Sequence, residues 1–183
     1  MPVEIEKKYR LSDERREQIF VKLSEVGSQF EGEDFEENTL YTGGILNLKP
    51  SVLRLRQIEN RAILTYKERL PSDAGIKRQI EHETEIENAA AMREILQSLG
   101  YKPALIYEKR RRTWLFEQAE IVVDELPFGW FMEIEASETV ILAIEKQLGI
   151  EDLTAEMQTY PALTAKHGTA NGEIIEARFL TEI

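Results

Sequence analysis

The chain has 183 residues, 42% of them hydrophobic, which is enough for one domain with a real core. It has no cysteine, so a disulfide framework and thiolate chemistry are excluded, and no apolar run of about 18 residues, so no transmembrane helix is expected. The net charge of −11 disfavours general nucleic-acid binding, and Met1-Pro2-Val3-Glu4 lacks the basic and apolar regions of a signal peptide; a cytoplasmic protein with no nucleic-acid and no membrane partner is the expectation.

The first strand spans Val3 to Tyr9. Side chains at i, i+2 and i+4 of a strand share a face, which puts Glu4, Glu6 and Lys8 on one side and Val3, Ile5, Lys7 and Tyr9 on the other. Leu11 to Val26 is predicted as a helix, with Ser12 as N-cap, Asp13 and Glu14 in the first turn, an Ile19, Leu23 and Val26 stripe, and Gly27 as the stop. Phe30 to Tyr41 is acidic and extended toward its end, and Thr42-Gly43-Gly44 is a loop. Ser51 to Ile58 and Ala62 to Arg69 form a hairpin around a tight turn at Glu59-Asn60-Arg61, and Pro71-Ser72-Asp73-Ala74-Gly75 is a second turn.

A long strand from Ile76 to Glu87 carries glutamates at 81, 83 and 85. Asn88 caps a helix from Ala89 to Leu99 that Gly100 closes. Strands follow over Ala104 to Phe116, Glu120 to Leu126 and Trp130 to Ala136, then a helix from Ser137 to Leu148. A short helix is expected over Asp152 to Tyr160, ended by Tyr160-Pro161, with one more turn over Ala162 to His167. The domain expectation is a single unit over 1–167 and a C-terminal tail over 168–183 that can be mobile.

Many of the 23 lysines and arginines gather in a few strands, at Arg54 and Arg56, Lys67, Lys77-Arg78 and Lys109 to Arg112. Charge sits at alternate positions of strand after strand: Glu4, Glu6 and Lys8; Arg54 and Arg56; Lys67; Glu81, Glu83 and Glu85; Lys109 and Arg111; Asp124; Glu133 and Glu135. The opposite parity is mostly apolar, as in Leu53 with Leu55 and Leu64 with Tyr66. Two structures explain such a pattern. One is a sheet with a wet face carrying ordinary surface ion pairs. The other is a closed barrel with a polar lumen and helices on its apolar outside.

The second structure suits a polyanion bound together with a divalent cation. Arginine offers a planar fork for phosphate oxygens and lysine a point charge. Carboxylates repel a polyphosphate unless Mg²⁺ or Mn²⁺ lies between them. The two histidines have no partner at a zinc spacing; His82 is expected to face outward and His167 to lie in solvent.

In this order, Glu4-Ile5-Glu6-Lys7-Lys8, Leu53-Arg54-Leu55-Arg56, Leu64-Thr65-Tyr66-Lys67, the strand around Glu81 to Glu85, Lys109-Arg110-Arg111, Val122-Val123-Asp124 and Met132-Glu133-Ile134-Glu135 resemble the CYTH superfamily, the triphosphate tunnel metalloenzymes. The resemblance covers residues 1 to about 165. It implies an α+β fold with a closed eight-stranded antiparallel β-barrel and helices packed outside. It implies that Lys8, Arg54, Arg56, Lys67, Lys109 and Arg111 bind triphosphate, with Arg78 reaching the substrate from the start of its strand. It implies that Glu4, Glu6, Asp124, Glu133 and Glu135 serve Mg²⁺ or Mn²⁺ and the attacking water, joined by Glu83 and Glu85 or, in a register shifted by two, Glu81 and Glu83. Glu4, Glu6, Lys8 and Lys67 are the expected catalytic group.

The activity this implies is metal-dependent hydrolysis of inorganic tripolyphosphate, thiamine triphosphate or a nucleoside triphosphate. A class IV adenylate cyclase is the alternative; such enzymes often carry a His-Phe stretch before the acidic motif, and this chain begins at Met1-Pro2-Val3. A non-catalytic polyphosphate- or nucleotide-binding module is the third reading. Tyr41, Phe128, Trp130 and Phe131 are expected in the core rather than on a ligand, so inorganic triphosphate asks least of these residues. A homodimer is a fair expectation that no residue specifies.

Overall fold

The computed structural model describes residues 3–59, 61–71 and 76–180. Among them the order is β1 (Val3–Leu11), α1 (Asp13–Glu25), β2 (Gln29–Thr42), β3 (Ser51–Ile58), β4 (Arg61–Leu70), β5 (Lys77–Ile86), α2 (Ala89–Ser98), β6 (Lys102–Phe116), β7 (Ala119–Leu126), β8 (Gly129–Glu135), α3 (Glu138–Leu148), α4 (Tyr160–His167), β9 (Thr169–Asn171) and β10 (Ile174–Ala177). Asn60 of the expected tight turn and residues 72–75 of the next turn lie outside the described residues.

Eight antiparallel strands form a closed barrel. The neighbours run β2-β3-β4-β5-β1-β8-β7-β6, and β6 pairs back onto β2 from Gln29↔Leu115 to Thr42↔Lys102. Closure gives each strand one face toward the lumen and one toward the outside, so alternate residues part into two environments. The outside is apolar and wears the helices. Tyr9, Leu11, Ile121, Val123, Met132 and Ile134 meet Ile19 and Leu23 of α1 and Ile141, Ile144 and Leu148 of α3. On the other flank Leu53, Leu55 and Ala62 meet Leu96 of α2.

The helices begin where short polar side chains cap their free N–H groups. Ser12 Oγ accepts from Arg15 N at 3.2 Å, Asn88 Oδ1 from Ala91 N at 3.0 Å, and Ser137 Oγ from Val140 N at 3.4 Å. These are the expected caps. The helix expected over Asp152 to Tyr160 does not form. Thr159 Oγ1 accepts from Ala162 N at 3.3 Å, and Pro161 sits in the first turn of α4, where its missing N–H costs no hydrogen bond. Tyr160-Pro161 therefore starts a helix instead of ending one. The residues before it spend their backbone on β1: Ala155 bridges Tyr9, and Glu156 N donates to Lys8 O at 2.7 Å.

Much of the expected tail is built into the fold. Strands β9 and β10 make a hairpin, and β10 runs parallel to β6 with Ile175 opposite Leu105 and Ala177 opposite Tyr107. Arg178 extends this anchoring through ion pairs to Glu37 at 2.7 Å and Glu108 at 2.8 Å. Gly168 lets the hairpin approach α4, since a Cβ there would lie 2.7 Å from Thr164 O and 2.8 Å from Glu176 O.

Leu23 is fully buried between α1, α3 and the barrel. Leu23→Ala is expected to lower the unfolding free energy by about 2–5 kcal/mol, read from the shift of the denaturation midpoint at unchanged slope.

Candidate active site

The inward residues meet around a cavity of about 120 Å³. Seven cationic side chains line it: Lys8 from β1, Arg54 and Arg56 from β3, Lys67 from β4, Lys77 from β5, and Lys109 and Arg111 from β6. Five carboxylates line it as well: Glu4 and Glu6 from β1, Glu120 from β7, and Glu133 and Glu135 from β8. Ten of the residues expected at the site are thus brought together. Their burial decides between the two explanations of the alternating charge. Lys8, Lys109 and Glu36 are each 1% exposed and Asp124 is 0% exposed, which a wet sheet face would not give.

Toward one side lies a dense cation network. Arg111 donates to both oxygens of Asp124, from Nε to Oδ1 at 2.8 Å and from a terminal nitrogen to Oδ2 at 2.7 Å, and also to Glu133 at 3.0 Å. Asp124 takes two further donors, Lys109 Nζ at 3.3 Å and the Tyr160 hydroxyl at 2.8 Å. Glu36 joins Arg56 at 3.2 Å to Lys109 at 3.4 Å. Burial alone would raise the Glu36 carboxyl, but Lys109, Arg56 and Arg111 outweigh it and hold it at about 2. Burial lowers Lys8 and Lys109 to about 8 each against the partial support of Glu133 for the first and Asp124 for the second.

The opposite side is acidic. Lys67 Nζ lies 2.8 Å from Glu4 and 2.8 Å from Glu81, Gln79 Nε2 donates to Glu4 at 2.8 Å, and Lys77 Nζ donates to Glu6 at 3.0 Å. Glu81 is raised to about 7 by burial and by its hydrogen bond to Glu4. Glu135, at the rim, is raised to about 8 by partial burial and by the negative charge of Glu4, Glu120 and Glu6.

Several expected residues stand elsewhere. Arg78 points away from the lumen and pairs with Glu138 at the start of α3; the inward residue of that pair is Lys77. Strand parity places Lys77 on the face of Gln79 and Glu81 and leaves Arg78, which the resemblance implied, on the outer face. Of the middle acidic strand, Glu81 reaches Glu4 and Lys67, Glu83 accepts from Thr65 Oγ1 at 2.9 Å without lining the cavity, and Glu85 is exposed opposite Ile63. Glu81 pairs with Lys67 and Glu83 lies 3.9 Å from Arg54, both cavity cations, whereas Glu85 is remote from them. Asp124 lies behind the cavity wall, its oxygens occupied by donors.

Glu36, Lys77, Gln79, Glu120 and Tyr160 were missed. Glu36 and Asn38 alternate on an acidic strand, a weak signal among so many glutamates, while Tyr160 reaches the lumen from a helix, where strand parity says nothing. His82 is exposed and stacks on Tyr66, and His167 is exposed against Phe128, both away from the charged network.

Residues 2–160 match the CYTH domain family. The chain belongs to the CYTH domain family. A protein of Methanocaldococcus jannaschii named "Putative adenylate cyclase" is 28% identical over 139 residues, 74% of this chain and 77% of its own. The structure of the PH1819 protein of Pyrococcus horikoshii matches with a TM-score of 0.71 at 28% identity, over 89% of this chain and 98% of that one. A Hippeastrum protein described as a putative adenylyl cyclase with a dominant triphosphatase activity shares the fold with a TM-score of 0.68 at 20% identity, over 89% of this chain and 95% of that one. Among the described residues no helix is long and apolar enough to cross a membrane.

CYTH enzymes are generally dependent on a divalent metal. The donor chemistry here fits one. Glu4, Glu6, Glu81 and Glu135 are oxygen donors of the kind hard cations take, and burial together with neighbouring carboxylates raises two of them toward neutral pH. Among the described residues no three such side chains already surround one point.

Glu81 and Glu135 bind protons in the folded protein up to about pH 7 and 8, but only to about 4.5 when unfolded. The stability those protons lend is complete below the unfolded value and disappears as pH rises through the folded one. Lys8 and Lys109 change their contribution only above about pH 8. In a chelating buffer the melting temperature is therefore expected to fall between about pH 5 and pH 8. A Glu81→Gln, Glu135→Gln double variant should flatten that fall; an unchanged slope would refute the assignment.

Proposed function

We infer that this chain is a metal-dependent triphosphatase, releasing phosphate from a triphosphate by attack of water on the terminal phosphorus. The observation that carries the reading is the lumen itself, where seven cations and five carboxylates line one cavity. Cations alone would suit a binding module. A cluster of carboxylates facing them has no use toward a polyanion unless a divalent cation joins the two.

Lys8, Arg54, Arg56, Lys109 and Arg111 bind the phosphate chain and hold the charge that accumulates on the departing diphosphate. Lys67, between Glu4 and Glu81, bridges the acidic side to the phosphate chain. Glu4, Glu6, Glu81 and Glu135 would hold Mg²⁺ or Mn²⁺, whose charge would neutralise the triphosphate beside them. In the hydrolytic step a water oxygen bonds to the terminal phosphorus, the bond to the bridging oxygen breaks, and the water proton passes to a carboxylate of the acidic side. The barrel wall keeps bulk water from the cation network, which strengthens each contact there.

A cyclase remains the second reading because of the name carried by the Methanocaldococcus relative. There the ribose 3′ oxygen would attack the α-phosphorus and pyrophosphate would leave. Phosphate and pyrophosphate release from tripolyphosphate, thiamine triphosphate and ATP, with and without Mg²⁺ or Mn²⁺, separates the two. Metal-dependent phosphate release is expected. Cyclic AMP with pyrophosphate from ATP would establish the cyclase instead, and tight binding without turnover a binding module.

Lys8 gives a sharper test, because it is a buried charge held 3.7 Å from its nearest carboxylate partner, Glu133, which Arg111 also serves. Removing it leaves Glu133 still paired with Arg111 at 3.0 Å, so no carboxylate is left buried without a partner, and it takes away an ammonium whose own burial is poorly offset. Lys8→Met is expected to keep or raise the melting temperature while kcat/KM falls on the order of a hundredfold. Loss of stability with unchanged turnover would place Lys8 in the scaffold.

A further inference from the structure

Tyr160 reaches the cavity from outside the eight barrel strands. It is the first residue of α4 and the last residue of the segment that matches the CYTH family. Its ring meets two ammonium groups from different strands: Lys8 Nζ of β1 lies 4.0 Å from the ring centroid and Lys109 Nζ of β6 lies 5.4 Å from it. Its hydroxyl donates to Asp124 Oδ2 at 2.8 Å, the oxygen that also receives Arg111. One aromatic side chain thus touches, directly or through one carboxylate, three of the seven cations around the cavity.

The ring is wedged in place. Phe131 packs edge-on with centroids 5.5 Å apart and Tyr107 lies tilted at 6.1 Å. Thr159 caps the helix, and the β9–β10 hairpin with Arg178 ties the following chain to β6 and β2. A cation over an aromatic face is attracted by the ring quadrupole, most strongly where water is excluded. Lys8 and Lys109 are both 1% exposed, and the pairing of Lys8 with Glu133 is long at 3.7 Å.

We propose that Tyr160 is a positioning residue of the anion site: its ring is the platform that presents Lys8 and Lys109 to the cavity, and its hydroxyl steadies Arg111 through Asp124. This rests on the reading of the cavity as a triphosphate site. The ring has the larger share, because Asp124 keeps Arg111 and Lys109 as donors without the hydroxyl.

The test is calorimetric binding of non-hydrolysable imidotriphosphate in Mg²⁺. Tyr160→Phe keeps the ring and is expected to weaken binding no more than about threefold. Tyr160→Leu loses the platform and is expected to weaken it on the order of tenfold. Progressively fluorinated phenylalanines at position 160 keep shape and fold while draining the ring's negative face, so affinity should fall stepwise along the series. Leu96→Ala, buried in α2 in a separate cluster of the barrel's coat, should bind as the unaltered protein does. A flat fluorination series, or an equal loss in Leu96→Ala and Tyr160→Leu, overturns the proposal and leaves the triphosphate reading standing. If the unaltered protein fails to bind imidotriphosphate, the reading of the cavity falls, and the role of Tyr160 with it.

Discussion

Charge buried without a partner is the constraint around which this molecule is arranged. Removing an ammonium or carboxylate from water is costly, and the cost is offset only by close partners of opposite sign with good geometry. Lys109 lies between Glu36 and Asp124, Arg111 clamps Asp124 and reaches Glu133, and Arg56 holds Glu36. Each of these pairs joins different strands, so the network can form only when the barrel is closed, and once formed it ties the strands in one register. The apolar outside, with α1 and α3 on one flank and α2 on the other, supplies the burial that makes a charged interior affordable.

The network is uneven in a way that suits chemistry. On the cation side the carboxylates are saturated with donors, and burial has already lowered two lysines. On the acidic side the carboxylates outnumber their lysines, and two of them keep protons near neutrality. An incoming polyanion would find positive charge short of partners, and an incoming divalent cation would find negative charge short of partners. Both imbalances are of the kind that a bound ion of the opposite charge relieves, the usual relation between a site and the stability of its scaffold.

The fold was largely legible because a strand shows its two faces in alternation. Arg54 and Arg56 against Leu53 and Leu55, or Glu133 and Glu135 against Ile134, separate lumen from coat without reference to any other strand. Helix starts were legible for a similar local reason: Ser12, Asn88 and Ser137 satisfy N–H groups only three residues away. Where local evidence was balanced, the reading failed. Lys77 and Arg78 are adjacent cations, and only pairing with β1 shows which of them enters the lumen. Three evenly spaced glutamates at 81, 83 and 85 share a face, and only the distance to Glu4 and Lys67 tells which belongs to the site.

The amino-acid sequence alone determined that this chain makes antiparallel strands with one charged and one apolar face, and which charged residue types were available to line a lumen. These follow from side-chain period and charge, properties of neighbours along the chain. Tertiary structure alone decided that the charged faces close into one lumen, that Asp124 serves Arg111 instead of lining the cavity, and that Tyr160 arrives from α4 between Lys8 and Lys109. Those outcomes depend on contacts between residues far apart in sequence, such as Tyr160 with Lys8, whose geometry exists only after the sheet has closed and the helix has docked on it.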